Sequence, residues 1–343
     1  MEAIVFEQFG GPEVLRVAEV DVPQPGPGQV RLRVVAAGVN PVDYKIRNGW
    51  LAQVFATTFP STPGWEAAGV VDAVGEGVTG LSVGDEVFGF TDTGSYAEYA
   101  LATVVAHKPA GLSWDEAAAL PVAGETAQRV LDLLGIKEGE GAVEESETGA
   151  EVSETGAEVS ETGAEVSETG AKGSKAAVKG SETVLIHGAA GGVGGVAVQL
   201  AVARGATVIG TASAANHDYL RSLGAIPVAY GEGLADRVRA AAPQGVDAVF
   251  DAAGQGALEA SVELRGTTDR TITIADAVGA QQLGVPYSAG GERSAEALAA
   301  LADLAAAGKL RVEVAGTFPL ADAPKAQESS ATGHTRGKLL LNP

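Results

Sequence analysis

Thr183-Val-Leu-Ile186, then His187, then Gly188-Ala-Ala-Gly191-Gly192-Val-Gly194, then Gly195-Val-Ala-Val-Gln-Leu-Ala-Val-Ala203 is the passage on which the fold turns. The first four residues are a short apolar run of the kind that forms a parallel strand buried on both faces. The glycine-rich turn leads into a helical pattern, and a second strand is expected at Ala206–Gly210. Strand, glycine turn, helix and strand in that order form the setting in which a dinucleotide is held. Glycines let the backbone approach a pyrophosphate, and the opening turn of the helix offers it unpaired N–H groups. Gly188, Ala190, Gly191, Gly192, Val193 and Gly194 are the candidate contacts; the bland alternative is a tight βα turn with no ligand.

Toward the C-terminus the alternation continues. Strands are expected at Ile226–Ala229, Val246–Asp251, Thr271–Ala275 and Gly284–Ser288, and helices at Leu234–Ala242 and Ser294–Ala307. This is an α/β pattern, a doubly wound parallel sheet. The choice of nucleotide is read at the end of the second strand, where an NAD site places an acid against the ribose. Here Gly210-Thr-Ala-Ser213-Ala-Ala-Asn216-His217 has no acid before Asp218, and Ser213 can donate to a 2′-phosphate. NADPH is therefore the expected cofactor. The stretch has no Arg or Lys either, so His217, Arg221, Tyr230, Arg336 or Lys338 has to complete the site. His217 and Arg221 read equally well as an exposed helix face.

Between these two halves lies a foreign segment. ETGAEVS repeats three times from Glu147 to Ser167 and is followed by ETGA to Ala171. The period of seven is not a coiled coil, because Ala150, Val152, Ala157 and Val159 are spaced two and five apart. The composition suits a solvated tract. Joining Glu140 to Thr183 restores a continuous passage, so residues 141–182 read as an insertion in a surface turn, tolerable because loop entropy grows only logarithmically. It holds ten Glu and three Lys, −7 of the net −21. A neutral repeat expansion and a partner-binding tract are both open readings.

That net charge argues against nucleic acid or an anionic membrane as partner. With no cysteine, cysteine-ligated zinc, disulfides and thiolate catalysis are excluded, and the four His residues show no metal-ligand spacing. No apolar run approaches the roughly 20 residues of a membrane span. The N-terminus lacks the basic-then-apolar order of a signal peptide, and a cytoplasmic protein is expected.

Residues 1–122 differ in texture, with short β-like runs and many Gly and Pro. Pro63-Gly-Trp-Glu66-Ala-Ala-Gly69-Val-Val-Asp-Ala-Val-Gly75 leads to Gly84-Asp85-Glu86-Val87-Phe88-Gly89, both readable as strands joined by glycine turns. Together with Gly38-Val-Asn40-Pro41-Val-Asp43-Tyr44-Lys45, Gly124-Glu-Thr126-Ala127, the glycine turn and Gly337-Lys-Leu-Leu-Leu341, this pattern resembles the medium-chain dehydrogenase/reductase superfamily. The resemblance implies a GroES-like β-barrel substrate domain over residues 1–122, completed by about 312–343. A Rossmann domain would occupy 123–311, with the site between the two. The zinc-dependent members carry a Cys early in the chain and a His between Gly and Glu. Asn40-Pro41 and Trp65 stand in those regions here, so the chain is similar to the zinc-free quinone and enone reductases.

What the resemblance implies for function is hydride transfer from NADPH to a quinone or an α,β-unsaturated carbonyl. Asn40 and Tyr44 would donate to the substrate oxygen with help from Lys45. Gly124 and Thr126 would meet the cofactor from the interdomain helix, and Asp251 and Gly254 would pass near the nicotinamide ribose. Quieter readings are Tyr44 packed on the barrel, Asn40 shaping a turn and Lys45 solvated. Tyr96 and Tyr99 suit packing better than catalysis. Two other functions are consistent with the same motifs: an enoyl reductase for carrier-bound or polyketide-type substrates, and a non-catalytic NADPH-binding sensor. The resemblance also implies a homodimer joined through nucleotide-domain edge strands, with Gly284–Ser288 as the candidate edge.

Overall fold

A computed structural model describes residues 1–137 and 181–343; the repeat lies outside the described residues. The chain opens with an antiparallel pair, β1 (Glu2–Val5) and β2 (Arg16–Glu19). Next come β3 (Val30–Val39), α1 (Pro41–Arg47), β4 (Glu66–Val74), β5 (Glu86–Phe90), β6 (Tyr99–Ala102) and β7 (Val104–His107). β3 pairs antiparallel with β4, β4 with β5, and β5 with β7, while β6 returns to pair with β3. Because Thr103 alone separates β6 from β7, one ribbon binds β3 with its first half and β5 with its second. That closes the sheet into a barrel. Val30, Leu32, Val71, Val87, Ala102 and Val105 fill one buried cluster, as the period of two requires.

Two helices, α2 (Trp114–Ala119) and α3 (Pro121–Leu133), carry the chain into the second domain. Ser113 starts α2 by accepting the N–H of Glu116, whose carboxylate accepts the Ser113 N–H in return. There β8 (Thr183–His187), α4 (Gly192–Ala203), β9 (Thr207–Ala212), α5 (His217–Ser222), β10 (Ile226–Ala229), α6 (Leu234–Ala241), β11 (Ala248–Asp251), α7 (Ala257–Arg265), β12 (Thr271–Thr273), α8 (Ala277–Leu283) and α9 (Ala295–Ala306) follow. The parallel sheet has the order β10-β9-β8-β11-β12, so the strand order reverses between β8 and β11. A crevice opens at such a reversal, beyond the C-terminal strand ends. Val184, Leu185 and Ile186 of β8 are fully buried, each side chain contributing about 1.5–3 kcal/mol.

The chain ends back on the first domain. β13 (Val314–Pro319), α10 (Ala323–Ala331) and β14 (Lys338–Asn342) follow, with β14 antiparallel to β3. Leu340 joins the interdomain core, while Leu339 and Leu341 face the cluster around Ile4, Phe6 and Tyr96. The architecture is an α/β Rossmann sheet joined to a GroES-like barrel.

Two expectations are corrected. Gly284–Ser288 is not a strand: α8 occupies the chain up to Leu283, Gly284 ends it, and Pro286 has no N–H to offer. The segment touches β12 through one bridge, Thr273 with Tyr287, and the hydrogen bonds Thr273 N to Pro286 O and Ser288 N to Thr273 O. The insertion also ends earlier than residue 182. Glu182 belongs to the folded domain, its carboxylate taking both Arg270 nitrogens at 2.8 and 2.9 Å and its carbonyl accepting Thr207 N.

Candidate active site

One cleft of about 770 Å³ runs from the glycine turn to the wall of the barrel. At its floor, Gly188 adopts a left-handed φ of 68°, turning the chain out of β8 and into α4. Gly194 lets the helix rest directly on that turn, since a Cβ there would come within 2.1 Å of Gly188 O. The N–H groups of Val193 and Gly194 open α4 without intrahelical acceptors, which makes an anion site from backbone alone. His187, at the end of β8, is buried beside the turn. Ser261 Oγ donates to Ala257 O, so it accepts from His187 Nε2–H at 3.0 Å, and Nδ1 accepts from Thr211 at 3.2 Å. Burial lowers the His187 pKa to about 4, so the imidazole is neutral at physiological pH.

The opposite wall is polar where the barrel meets the sheet. Asn40, at the start of α1, donates from Nδ2 to Glu66 Oε1 at 2.8 Å and accepts Lys338 Nζ on Oδ1 at 2.6 Å. Lys338 Nζ also contacts Glu66 Oε1 closely, and Glu66 Oε2 accepts the Val122 N–H of α3 at 2.7 Å. This knot ties α1, β4, α3 and β14 together. Its charges are buried, and such a pair persists because both Glu66 oxygens and the Lys338 ammonium find partners. Behind it, Asp43 Oδ2 accepts Asn40 N and the Tyr96 hydroxyl, both at 2.8 Å. Burial raises the Asp43 pKa to about 7, against those two donors and the Lys338 charge.

Most of the residues singled out by sequence meet in this cleft. Asn40, Tyr44, Lys45, Thr126, Gly188, Ala190, Gly191, Gly192, Val193, Gly194, Ser213, Tyr230, Gly254 and Lys338 all line it. Tyr44 is half-buried, edge-on to Trp50 at 6.1 Å, and its hydroxyl makes no hydrogen bond among the described residues; burial raises its pKa. Lys45 reaches across the cleft to Ala275 O at 3.3 Å, and burial lowers its pKa against the pull of Asp251 and Asp276.

Several placements differ from the sequence reading. Gly124 packs on Leu301 of α9, because the small residue faces the helix pair and not the cleft. Asp251 is buried and shapes the loop, accepting Ala253 N, Gly254 N and the Thr273 hydroxyl. Arg336 pairs with Glu313 at 3.1 Å over the Tyr219 ring, Arg221 pairs with Asp218, and neither these nor His217 lines the cleft. Lys338 shares the face of Leu340 toward the interdomain core, so it joins Asn40 and not the 2′-phosphate end. Sequence reasoning missed Glu66, although a carboxylate opening the apolar run Ala67–Val71 was a visible signal. It also missed Arg293, which sits in a loop with no pattern.

Comparison with known proteins bears on these features. The family model described as alcohol dehydrogenase GroES-like domain matches residues 26–110, and the one described as zinc-binding dehydrogenase matches 223–341. A 2-methylene-furan-3-one reductase of Solanum lycopersicum is 30% identical over 360 residues, covering 100% of this chain and 79% of that protein. The chain spans about half the length of the curated quinone oxidoreductases it matches. Among solved structures, the quinone oxidoreductase from Coxiella burnetii superposes with a TM-score of 0.78 at 31% identity, covering 100% of this chain and 99% of that one. The Escherichia coli quinone oxidoreductase complexed with NADPH gives 0.75 at 25% identity, with both chains fully covered. The chain belongs to the medium-chain dehydrogenase/reductase superfamily of oxidoreductases, in its quinone oxidoreductase branch.

Proposed function

We propose that this oxidoreductase uses NADPH to reduce a quinone or an α,β-unsaturated carbonyl without zinc. The observation that carries the reading is the single cleft, in which the glycine turn and the wall of Asn40, Tyr44, Lys45 and Lys338 face one space. The turn fits a dinucleotide: the N–H groups of Gly192, Val193 and Gly194 open α4 with no acceptor four residues back in the helix, and the only side chain near Gly192 is the aliphatic stem of Lys338, 3.5 Å from where a Gly192 Cβ would stand. Gly188, Ala190–Gly194, Ser213, Tyr230 and Gly254 would hold the cofactor, which supplies the hydride when bound.

The chain supplies the rest. Tyr44 keeps its proton at neutral pH and has no competing acceptor, so it is the donor for an oxygen that gains charge. Asn40 has one Nδ2–H committed to Glu66 and one left for the same oxygen. The Lys338 ammonium adds positive charge beside them, positioned through Asn40 and Glu66. Phe55, Trp65, Phe90 and Tyr287 give the acceptor end apolar walls that exclude water. The absence of an acid at the end of β9 supports NADPH over NADH.

The test is oxidation of NADPH, with NADH in parallel, by the purified protein against a panel of quinones and alkenals. Turnover is expected with both classes, and Tyr44→Phe is expected to lose about 10- to 100-fold in kcat/KM. Saturable NADPH binding without turnover on any acceptor would replace this reading with the sensing one. Turnover only on thioester-linked enoyl chains would favour the carrier-bound reductase.

A further inference from the structure

The cleft carries more positive charge than a chain of net charge −21 would suggest. Lys45, Arg129, Arg293 and Lys338 line it, against Glu125 as the only carboxylate among the described lining residues. Three of the four cations are occupied. Arg129 pairs with Glu125 at 2.6 Å, Lys338 with Glu66 and Asn40, and Lys45 donates to Ala275 O. Arg293 has no ion pair or hydrogen-bond acceptor among the described residues. Its guanidinium instead lies 4.5 Å from the Phe90 ring centroid and 5.7 Å from that of Trp65. Stacking engages the faces of the group and leaves its N–H edge unspent. Partial burial lowers its pKa, opposed by Glu125, Asp92 and Glu66, so the cation is held in the cleft at some desolvation cost.

Its position separates it from the nucleotide phosphates. Arg293 follows the segment bridged to β12, the edge of the sheet opposite β9 and β10, where Ser213 and Tyr230 stand. Trp65 and Phe90 belong to the barrel side. A guanidinium held over two aromatic rings with free donors on the acceptor side is a receptor for an oxyanion. We propose that the acceptor is itself anionic: a conjugated carbonyl compound bearing a carboxylate or similar oxyanion, which Arg293 receives while the carbonyl lies toward Tyr44. This inference rests on the reductase reading above and narrows its substrate class.

The test compares trans-4-oxo-2-pentenoate with its methyl ester, a pair differing in one charge, at saturating NADPH. The absence of cysteine removes enzyme thiols as a side reaction for either compound. The wild type is expected to favour the acid by about ten-fold or more in kcat/KM, mostly through KM. Arg293→Gln should erase that preference, bringing the acid-to-ester ratio of kcat/KM to near one, and Arg293→Lys should keep part of it. Equal preference in wild type and Arg293→Gln overturns the proposal while the reductase reading stands. If neither compound is turned over, the reductase reading fails for enones, and the proposal is judged by equilibrium titration of the NADPH complex with 4-oxopentanoate and its methyl ester. Tighter binding of the acid that Arg293→Gln abolishes supports it; indifference to charge sinks it. Unchanged NADPH affinity and melting temperature in both variants show that the fold is intact.

Discussion

At the nucleotide end of the cleft the groups that can meet a ligand are backbone N–H groups of Val193 and Gly194 and the side chains of Ser213, Asn216 and Tyr230. At the acceptor end they are charged: Lys338 locked against Glu66 and Asn40, Arg129 against Glu125, and Arg293 stacked on two rings. A helix terminus is a fixed dipole that costs no side-chain entropy and binds phosphate whatever the overall charge. Side-chain cations, paired or held over rings, stand instead at the other end, where the proposed reaction would develop charge. The two ends should therefore respond to different kinds of substitution.

The largest effect is expected at the backbone site. Gly194→Ala drives a Cβ into Gly188 O and Ala189 Cα, and the helix N-terminus has to move away from the turn. NADPH affinity, followed by cofactor fluorescence, should fall by roughly 100-fold or more. Retention of wild-type affinity would show that the turn does not carry the binding.

At the opposite end the weak point is the buried ion pair. Lys338→Met strands the Glu66 carboxylate in the core and should cost about 3–5 kcal/mol in denaturant unfolding. Adding Glu66→Gln should restore most of that stability but not kcat/KM, separating the structural part of Lys338 from its charge. Recovery of both would make Lys338 a purely structural residue.

A smaller pair of effects distinguishes what lies behind each end. His187, with its folded pKa lowered to about 4, adds stability that is present above its ordinary value of 6.5 and lost as pH falls toward 4. Asp43, raised to about 7, adds stability that is present below its ordinary value of 3.8 and lost as pH rises to 7. Between about pH 4 and 6.5 the slopes oppose each other, each near 1.4 kcal/mol per pH unit at most. His187→Gln should make the protein gain stability toward acid across that window, and Asp43→Asn should make it lose stability. Parallel melting curves for both variants from pH 4.5 to 7 would refute the assignment.

The smallest expected effect tests nucleotide choice. None of Ser213, Asn216, Tyr230, Gly231 and Leu234 is charged, and the neighbouring Arg237 is spent on the carbonyls of Ala229, Tyr230 and Gly231, so the preference for NADPH should be modest. Ser213→Asp should weaken NADPH by about ten-fold and leave NADH within two-fold, read from the ratio of KM values.

Legibility follows the range of the interactions. The strand Thr183–His187 and its glycine turn were readable because Val184–Ile186, buried on both faces, is an unbroken apolar run and the chain leaves the strand through a left-handed Gly188. The false strand at Gly284–Ser288 looked similar locally; Pro286 and the helix before it decided otherwise. The barrel was legible only through the family resemblance and not from the residues, since its closure depends on β6 and β7 binding two different partners, β3 and β5. Lys338 was noticed, but its bonds to Asn40 and Glu66 were not, because strand alternation gives a side chain's face and not what stands opposite it. Arg293 had no local signal at all.

By itself, then, the sequence determined the α/β class, the glycine turn, the absence of cysteine chemistry and the family, each carried by neighbouring residues whose backbone geometry or chemistry is set locally. Only the tertiary structure decided which charges meet. Asn40, Glu66 and Lys338 lie 26 and 272 residues apart along the chain, and their contact exists because β14 returns to β3 across the whole nucleotide domain. The balance between a paired cation such as Lys338 and an unspent one such as Arg293 is a property of packing distances, and those are fixed only when both domains close around the cleft.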